Sequence, residues 1–200
     1  MKENDLIPEN EEGIETNTES RVDLDNKEKA NRFFEMVKDR LRHVDQWHEL
    51  AGKATADFAL TDAEGNEISR PVQKGDHFRI DIPAPGSVTG EGYDWVRVEE
   101  IEEGPDYLAI MVRPASNPNN KDQDIAHFFS DSATSSFIVK KEGLQIKAGV
   151  YGRNEKPNTA VNRAVDKIRN TAIATGAVAG FSKIQWKSLV NGLMKLPEHS

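Results

Sequence analysis

The run YDWVRVEEIEEGPDYLAIMVR, residues 93–113, decides the fold class. In its first half Val96 and Val98 share one side, and in its second half Leu108, Ile110 and Val112 do the same. Alternation with a period of two marks a strand with one buried face. Glu102-Glu103-Gly104-Pro105-Asp106 supplies the turn, so the run reads as two paired antiparallel strands. Trp95, Arg97, Tyr107, Met111 and Arg113 fall on the reverse side. Such a face stacks a planar ligand, grips an anion, or simply lies beneath covering structure.

The same period continues outward. Upstream, Phe78, Ile80 and Ile82 alternate with Arg79 and Asp81 behind the lead-in turn Lys74-Gly75-Asp76. Before them Phe58 and Leu60 precede the tight turn Asp62-Ala63-Glu64-Gly65-Asn66. The excursion from Pro83 to Gly92 is longer than a hairpin needs, and reads as a mouth-framing loop or a surface crossover. Downstream, Ser135–Lys140 and Leu144–Tyr151 pair through Glu142-Gly143, and Leu144, Ile146, Ala148 and Val150 alternate most strictly of all. Residues 114–124 form a polar loop. Asp122 and Asp124 lack the glycine and distal glutamate of a calcium loop.

Helical periodicity flanks this strand-rich stretch. Over Lys27–Val44, capped by Asn26, the residues Phe33, Phe34, Val37, Leu41 and Val44 recur at spacings of three and four. Trp47 then closes the core beside Leu50. Over Asn158–Lys195, Val161, Val165, Ile168 and Ala172 share one face, with Asn158 as the expected cap. Gly176, Ala177, Ala179 and Gly180 thin the segment, so an interruption is expected near Gly176–Ser182. Beyond it Phe181, Ile184, Trp186, Leu189, Val190 and Leu193 are apolar enough to dock.

Charge is unevenly placed. Of the net −8, residues 1–25 carry −7, from nine acids against Lys2 and Arg21. The expected organisation is an acidic disordered tail over 1–25 and a single domain over 26–196. The near-neutral body has no concentrated positive field, which argues against nucleic acid. There is no cysteine, so disulfides, thiolate nucleophiles and cysteine zinc sites are excluded. His43 and His48 stand five apart, which misses the spacing that aims two imidazoles from one helical face at one zinc. No run approaches the length needed to cross a bilayer as a helix, and the N-terminus lacks the apolar core of a signal peptide. A cytoplasmic protein without membrane insertion, metal or cofactor is expected.

A helix ending near Trp47, a series of antiparallel strands containing Lys74-Gly75-Asp76, and a long C-terminal helix after the last strand resemble the START-like, polyketide-cyclase-like (SRPBCC) superfamily over residues 27–195. No strand is read before the first helix. The resemblance implies an α+β helix-grip fold, in which a curved antiparallel sheet packs around the C-terminal helix with the N-terminal amphipathic helix beside it. It also implies a cavity for an apolar or amphipathic small molecule. The expected lining is Trp95, Tyr107, Ile110, Ile146, Ile168, Ala172 and Gly176. The resemblance carries no universal catalytic residues, and no Ser/His/Asp constellation or phosphate loop is visible, so catalytic residues stay unassigned. Two other functions stay open: a cyclase- or hydrolase-like enzyme, and an interaction module built as a small barrel over Phe58–Val112 with an exposed Trp95/Tyr107 face.

Overall fold

The computed structural model describes residues 7–52, 56–82, 87–120, 124–160, 164–176 and 182–197. Among them the chain forms β1 (Ile14–Asp23), α1 (Lys27–Arg42), a 3₁₀ turn (Val44–Gln46), α2 (Trp47–Ala51), β2 (Asp57–Thr61), β3 (His77–Asp81), β4 (Asp94–Gly104), β5 (Tyr107–Pro114), β6 (Thr134–Glu142), β7 (Gln145–Glu155), α3 (Ala164–Gly176) and α4 (Ser182–Leu193). The fold is α+β, as expected from the sequence. Seven antiparallel strands make one curved sheet in the order β1-β7-β6-β5-β4-β3-β2, consistent with a helix-grip arrangement. The barrel over Phe58–Val112 does not form, because β2 to β5 are one flank of this open sheet. No helix among the described residues is long and apolar enough to cross a membrane.

The expected disordered tail is corrected over most of its described length. Residues 14–23 are β1, paired with β7 from Ile14↔Glu155 to Asp23↔Gln145. Thr16, Thr18, Ser20 and Val22 turn inward while Glu15, Asn17, Glu19, Arg21 and Asp23 stay exposed. The strand's acids all sit on its wet face, and hydroxyls serve where apolar residues usually mark an inner face. Residues 1–6 of the expected tail lie outside the described residues.

The sheet's inner face is apolar. Partners directly across it include Leu60↔Phe78, Phe78↔Val96, Ile110↔Phe137 and Phe137↔Val150. Against it α1 lays Phe33, Phe34, Val37 and Leu41, started by Asn26, whose side chain accepts the Lys29 amide at 3.0 Å. Trp47 is fully buried at the head of α2, its rings 4.9–5.6 Å from those of Phe137, Phe58 and Phe78. Burying a ring of this size is worth on the order of 3 kcal/mol. The C-terminal helical segment is divided, as expected, into α3 and α4, and residues 177–181 lie outside the described residues. Helix α4 packs on α2, β1 and β7. Arg40 of α1 donates to the carbonyls of Leu193 and Lys195 at 2.7 Å, tying the end of α4 down. Asn158 does not cap a helix, since Thr159 and Ala160 after it are not helical. Its buried amide instead donates to the Ile125 and His127 carbonyls.

Candidate ligand cavity

The inner faces of β2 to β5 and the side of α4 do not meet completely. Between them lies a cavity of about 40 Å³. Phe58, Phe78, Ile80, Val96 and Val112 form its sheet wall, Ser135 and Phe137 of β6 extend it, and Trp186 of α4 covers it. His127, Phe128 and Phe129 close one side and Glu155 closes the end. A space of this size holds a water or two.

Glu155 reaches the cavity through a break in the strand's alternation. In β7, Ile146, Ala148 and Val150 face inward, and simple alternation would turn residue 155 outward. Between Gly152 and Glu155 the register against β1 shifts, and Asn154 adopts φ +55. The extra residue of this bulge reverses the phase. N-terminal residues hold the bulge in place: the Asn154 side-chain oxygen accepts the Glu11 and Glu12 amides at 2.9 and 3.1 Å, and the Asn154 amide donates to Asn10 at 2.8 Å.

The result is a buried carboxyl with half its hydrogen bonding unmet. Glu155 is 4% exposed. Its Oε1 accepts from the Thr16 hydroxyl at 3.3 Å, while Oε2 has no partner among the described residues. Burial pushes the carboxyl up to about 7, against the opposing pulls of Thr16 and Arg153. His127 is the other titratable group in the lining. Burial pushes it down to about 4, with Asp94 opposing and Arg169 adding to the fall. Its Nδ1 accepts the Phe129 amide at 2.9 Å, so the neutral ring carries its proton on Nε2. At neutral pH the cavity thus contains an uncharged imidazole and a carboxyl whose titration burial has raised to about 7.

The expected lining is corrected at six of its seven positions. Helix α3 is turned opposite to its apolar periodicity: Val165 and Ile168 are 67% and 73% exposed, and Ala172 is exposed beside Ile168 on an open surface. Buried polar partners set this orientation. Asp166 accepts the Val88 and Thr89 amides at 2.8 Å and the Thr89 hydroxyl at 2.6 Å. Arg169 forms a buried ion pair with Asp94, and Asn170 donates to the Asn158 carbonyl at 3.1 Å. Leaving Asp94 unpaired would cost more than exposing two aliphatic side chains gives up, so the polar face wins. Trp95 and Tyr107 lie on the outer face of the sheet, away from α4. Trp95 is nevertheless buried, its indole N–H donating to the Gly90 carbonyl at 3.2 Å beneath residues 87–92, so it offers no exposed aromatic face. Tyr107 packs with Ala109, Ile138 and Tyr151.

Ile110 and Ile146 do face inward, fully buried in the core, but neither lines the cavity. Gly176 is the last residue of α3. Of the residues that do line the cavity, Glu155 falls between the last strand read from the sequence, Leu144–Tyr151, and the helical segment from Asn158, and Trp186 read only as a docking residue. His43 and His48 take separate carboxylate partners, Asp39 and Asp57, and no group of three or more His, Asp or Glu among the described residues is placed to hold a metal ion.

No protein-family profile and no curated protein matches the chain. A hypothetical protein from Helicobacter pylori is similar in structure, at 15% identity over 97% of this chain and 93% of that one, with a TM-score of 0.57. That is a likeness of fold. Weaker likenesses include the di-domain ARO/CYC BexL of the BE-7585A biosynthetic pathway (13% identity, 92% of this chain, 51% of that one, TM-score 0.41) and major latex-like protein 151 from Panax ginseng (12% identity, 83% and 96%, TM-score 0.35). Scores this low do not establish a shared fold.

Proposed function

We propose that the protein binds a small, largely apolar molecule carrying one polar group, held in the cavity between the sheet and α4. The observation that carries this reading is the Glu155 Oε2, without a partner among the described residues, inside an aromatic wall. A buried acceptor without a donor costs about 1–3 kcal/mol, so Oε2 takes a partner that enters the cavity, a water or the polar group of a bound molecule. A donor on the bound molecule satisfies Oε2 while the rest of the molecule replaces cavity with contact. Because about 40 Å³ is well below the usual size of a ligand pocket, anything larger than water enters by displacing the partly buried rings of Phe128 or Trp186. A second reading, acid–base chemistry on the bound molecule, is favoured by a carboxyl titrating near neutrality in the same cavity as a neutral imidazole.

The test is a thermal shift with butan-1-ol. Wild type and Ala172→Leu should both gain melting temperature in a saturable way, because residue 172 is on the outer surface. Val112→Phe and Ser135→Leu, which fill the cavity from neighbouring strands, should lose the response. A gain of the same size in the two filled variants, or none in wild type, defeats the reading.

A further inference from the structure

We infer that the molecule this cavity selects is a small organic cation, a protonated alkylamine whose ammonium group pairs with Glu155 and whose carbon substituents lie against the rings of Phe58, Phe137 and Trp186. This rests on the cavity reading above and narrows it to one chemical class. Three observations support it.

The lining holds one group able to carry negative charge and, above about pH 4, none that carries positive charge. Glu155 is the sole acid in it, and it contains neither lysine nor arginine. A carboxylate or phosphate ligand would meet no counter-charge and would be repelled by ionised Glu155. His127, the remaining titratable group, stays uncharged above about pH 4 and does not oppose a cation.

Phe58, Phe137 and Trp186 line the cavity together and pack on one another. Trp186 lies 5.5 Å from Phe137 at 81° and 6.1 Å from Phe58 at 37°. An ammonium group that moves Trp186 off these contacts meets the faces of Phe58 and Phe137 that it leaves, and π faces attract a cation. A neutral alcohol gains far less from those faces.

Glu155 is poised to change charge on binding. Thr16 from β1 is its one hydrogen-bond donor among the described residues. Arg153, on its own strand, is engaged by the Thr16 and Gly152 carbonyls and the Asn17 side chain. The adjacent Lys156 is paired with Glu12. No neighbouring cation is therefore bonded to the carboxyl, and an arriving ammonium group supplies the missing charge and donor together.

The experiment compares propylamine, propan-1-ol and propionate by calorimetry on the full chain at pH 6, 7.5 and 9, in wild type and Glu155→Gln. Propylamine should bind wild type at least about tenfold more tightly than propan-1-ol at pH 7.5, and propionate should not bind. With the carboxyl titrating near 7, propylamine affinity should rise roughly eightfold from pH 6 to 7.5 and little more by pH 9. Glu155→Gln should keep propan-1-ol and lose both the amine preference and the pH dependence. If propan-1-ol binds as well as propylamine at every pH, or Glu155→Gln binds the amine like wild type, the cation inference is overturned while the cavity reading stands. If none of the three binds wild type, both fall.

Discussion

Deletion of residues 1–23 is expected to abolish cooperative folding, with a loss of more than about 4 kcal/mol, comparable to the whole stability of an ordinary domain. The deleted stretch is β1. Its removal strips β7 of its outer neighbour along the pairs from Ile14↔Glu155 to Asp23↔Gln145 and uncovers the side of the sheet on which α4 rests. It also takes away the backbone carbonyl of Glu19, to which Lys187 of α4 donates at 2.6 Å. The cavity is lost with the strand, since Asn10, Glu11 and Glu12 hold the bulge at Asn154 and Thr16 bonds Glu155 directly. Denaturant unfolding followed by circular dichroism checks this. A truncated protein melting within a few degrees of the full chain would show that β1 contributes nothing to the fold.

Glu155→Gln is expected to stabilise the protein by about 3 kcal/mol at pH 8, roughly 6–12 °C in melting temperature, and to leave it unchanged at pH 4.5. The folded carboxyl titrates near 7 against an ordinary 4.5. A carboxyl whose folded value lies above its unfolded one contributes its full stability below about pH 4.5, where both states are protonated, and loses it as pH rises through 7. Glutamine keeps the shape and does not titrate, so it escapes that loss. The variant's advantage therefore opens between pH 4.5 and 7 and is flat above. His127 titrates in wild type and variant alike and cancels from the difference. Melting curves across this range decide it: an advantage of equal size at pH 4.5 and pH 8 would mean that Glu155 is not held neutral by burial.

What the sequence made legible, and what it hid, divides along one physical line. Strands β2 to β7 and helix α1 announce themselves because their inner faces are aliphatic or aromatic: Phe78 and Ile80, Leu108 and Ile110, Ile146 and Ala148, Phe33 and Val37. Hydrophobic periodicity reports burial only when burial is apolar. In β1 the inner face is Thr16, Thr18 and Ser20, and its outer acids read as a repelling tail. In α3 Asp166, Arg169 and Asn170 face inward because each finds a buried partner in a distant segment, which no local pattern reveals. Trp95 falls on the reverse side of its strand as expected, yet it is buried there with its indole N–H on the Gly90 carbonyl. Glu155 was hidden by a single bulge: Asn154 in the left-handed region shifts the strand by one residue and turns the carboxyl from solvent to core. The architecture was therefore readable, while the buried carboxyl of the cavity and the facing of α3 lie where local rules are broken by long-range contacts.

The proposed ligand site is the interior cavity beneath α4. The most direct test is an NMR titration with butan-1-ol in which methyl and indole signals are assigned. Saturable shifts should appear at the Ile80 and Val112 methyl groups and the Trp186 indole, with Ile168 and Ala172 unmoved. Shifts confined to Ile168 and Ala172 on the outer face of α3, or no saturable shift at Ile80, Val112 and Trp186, would contradict it.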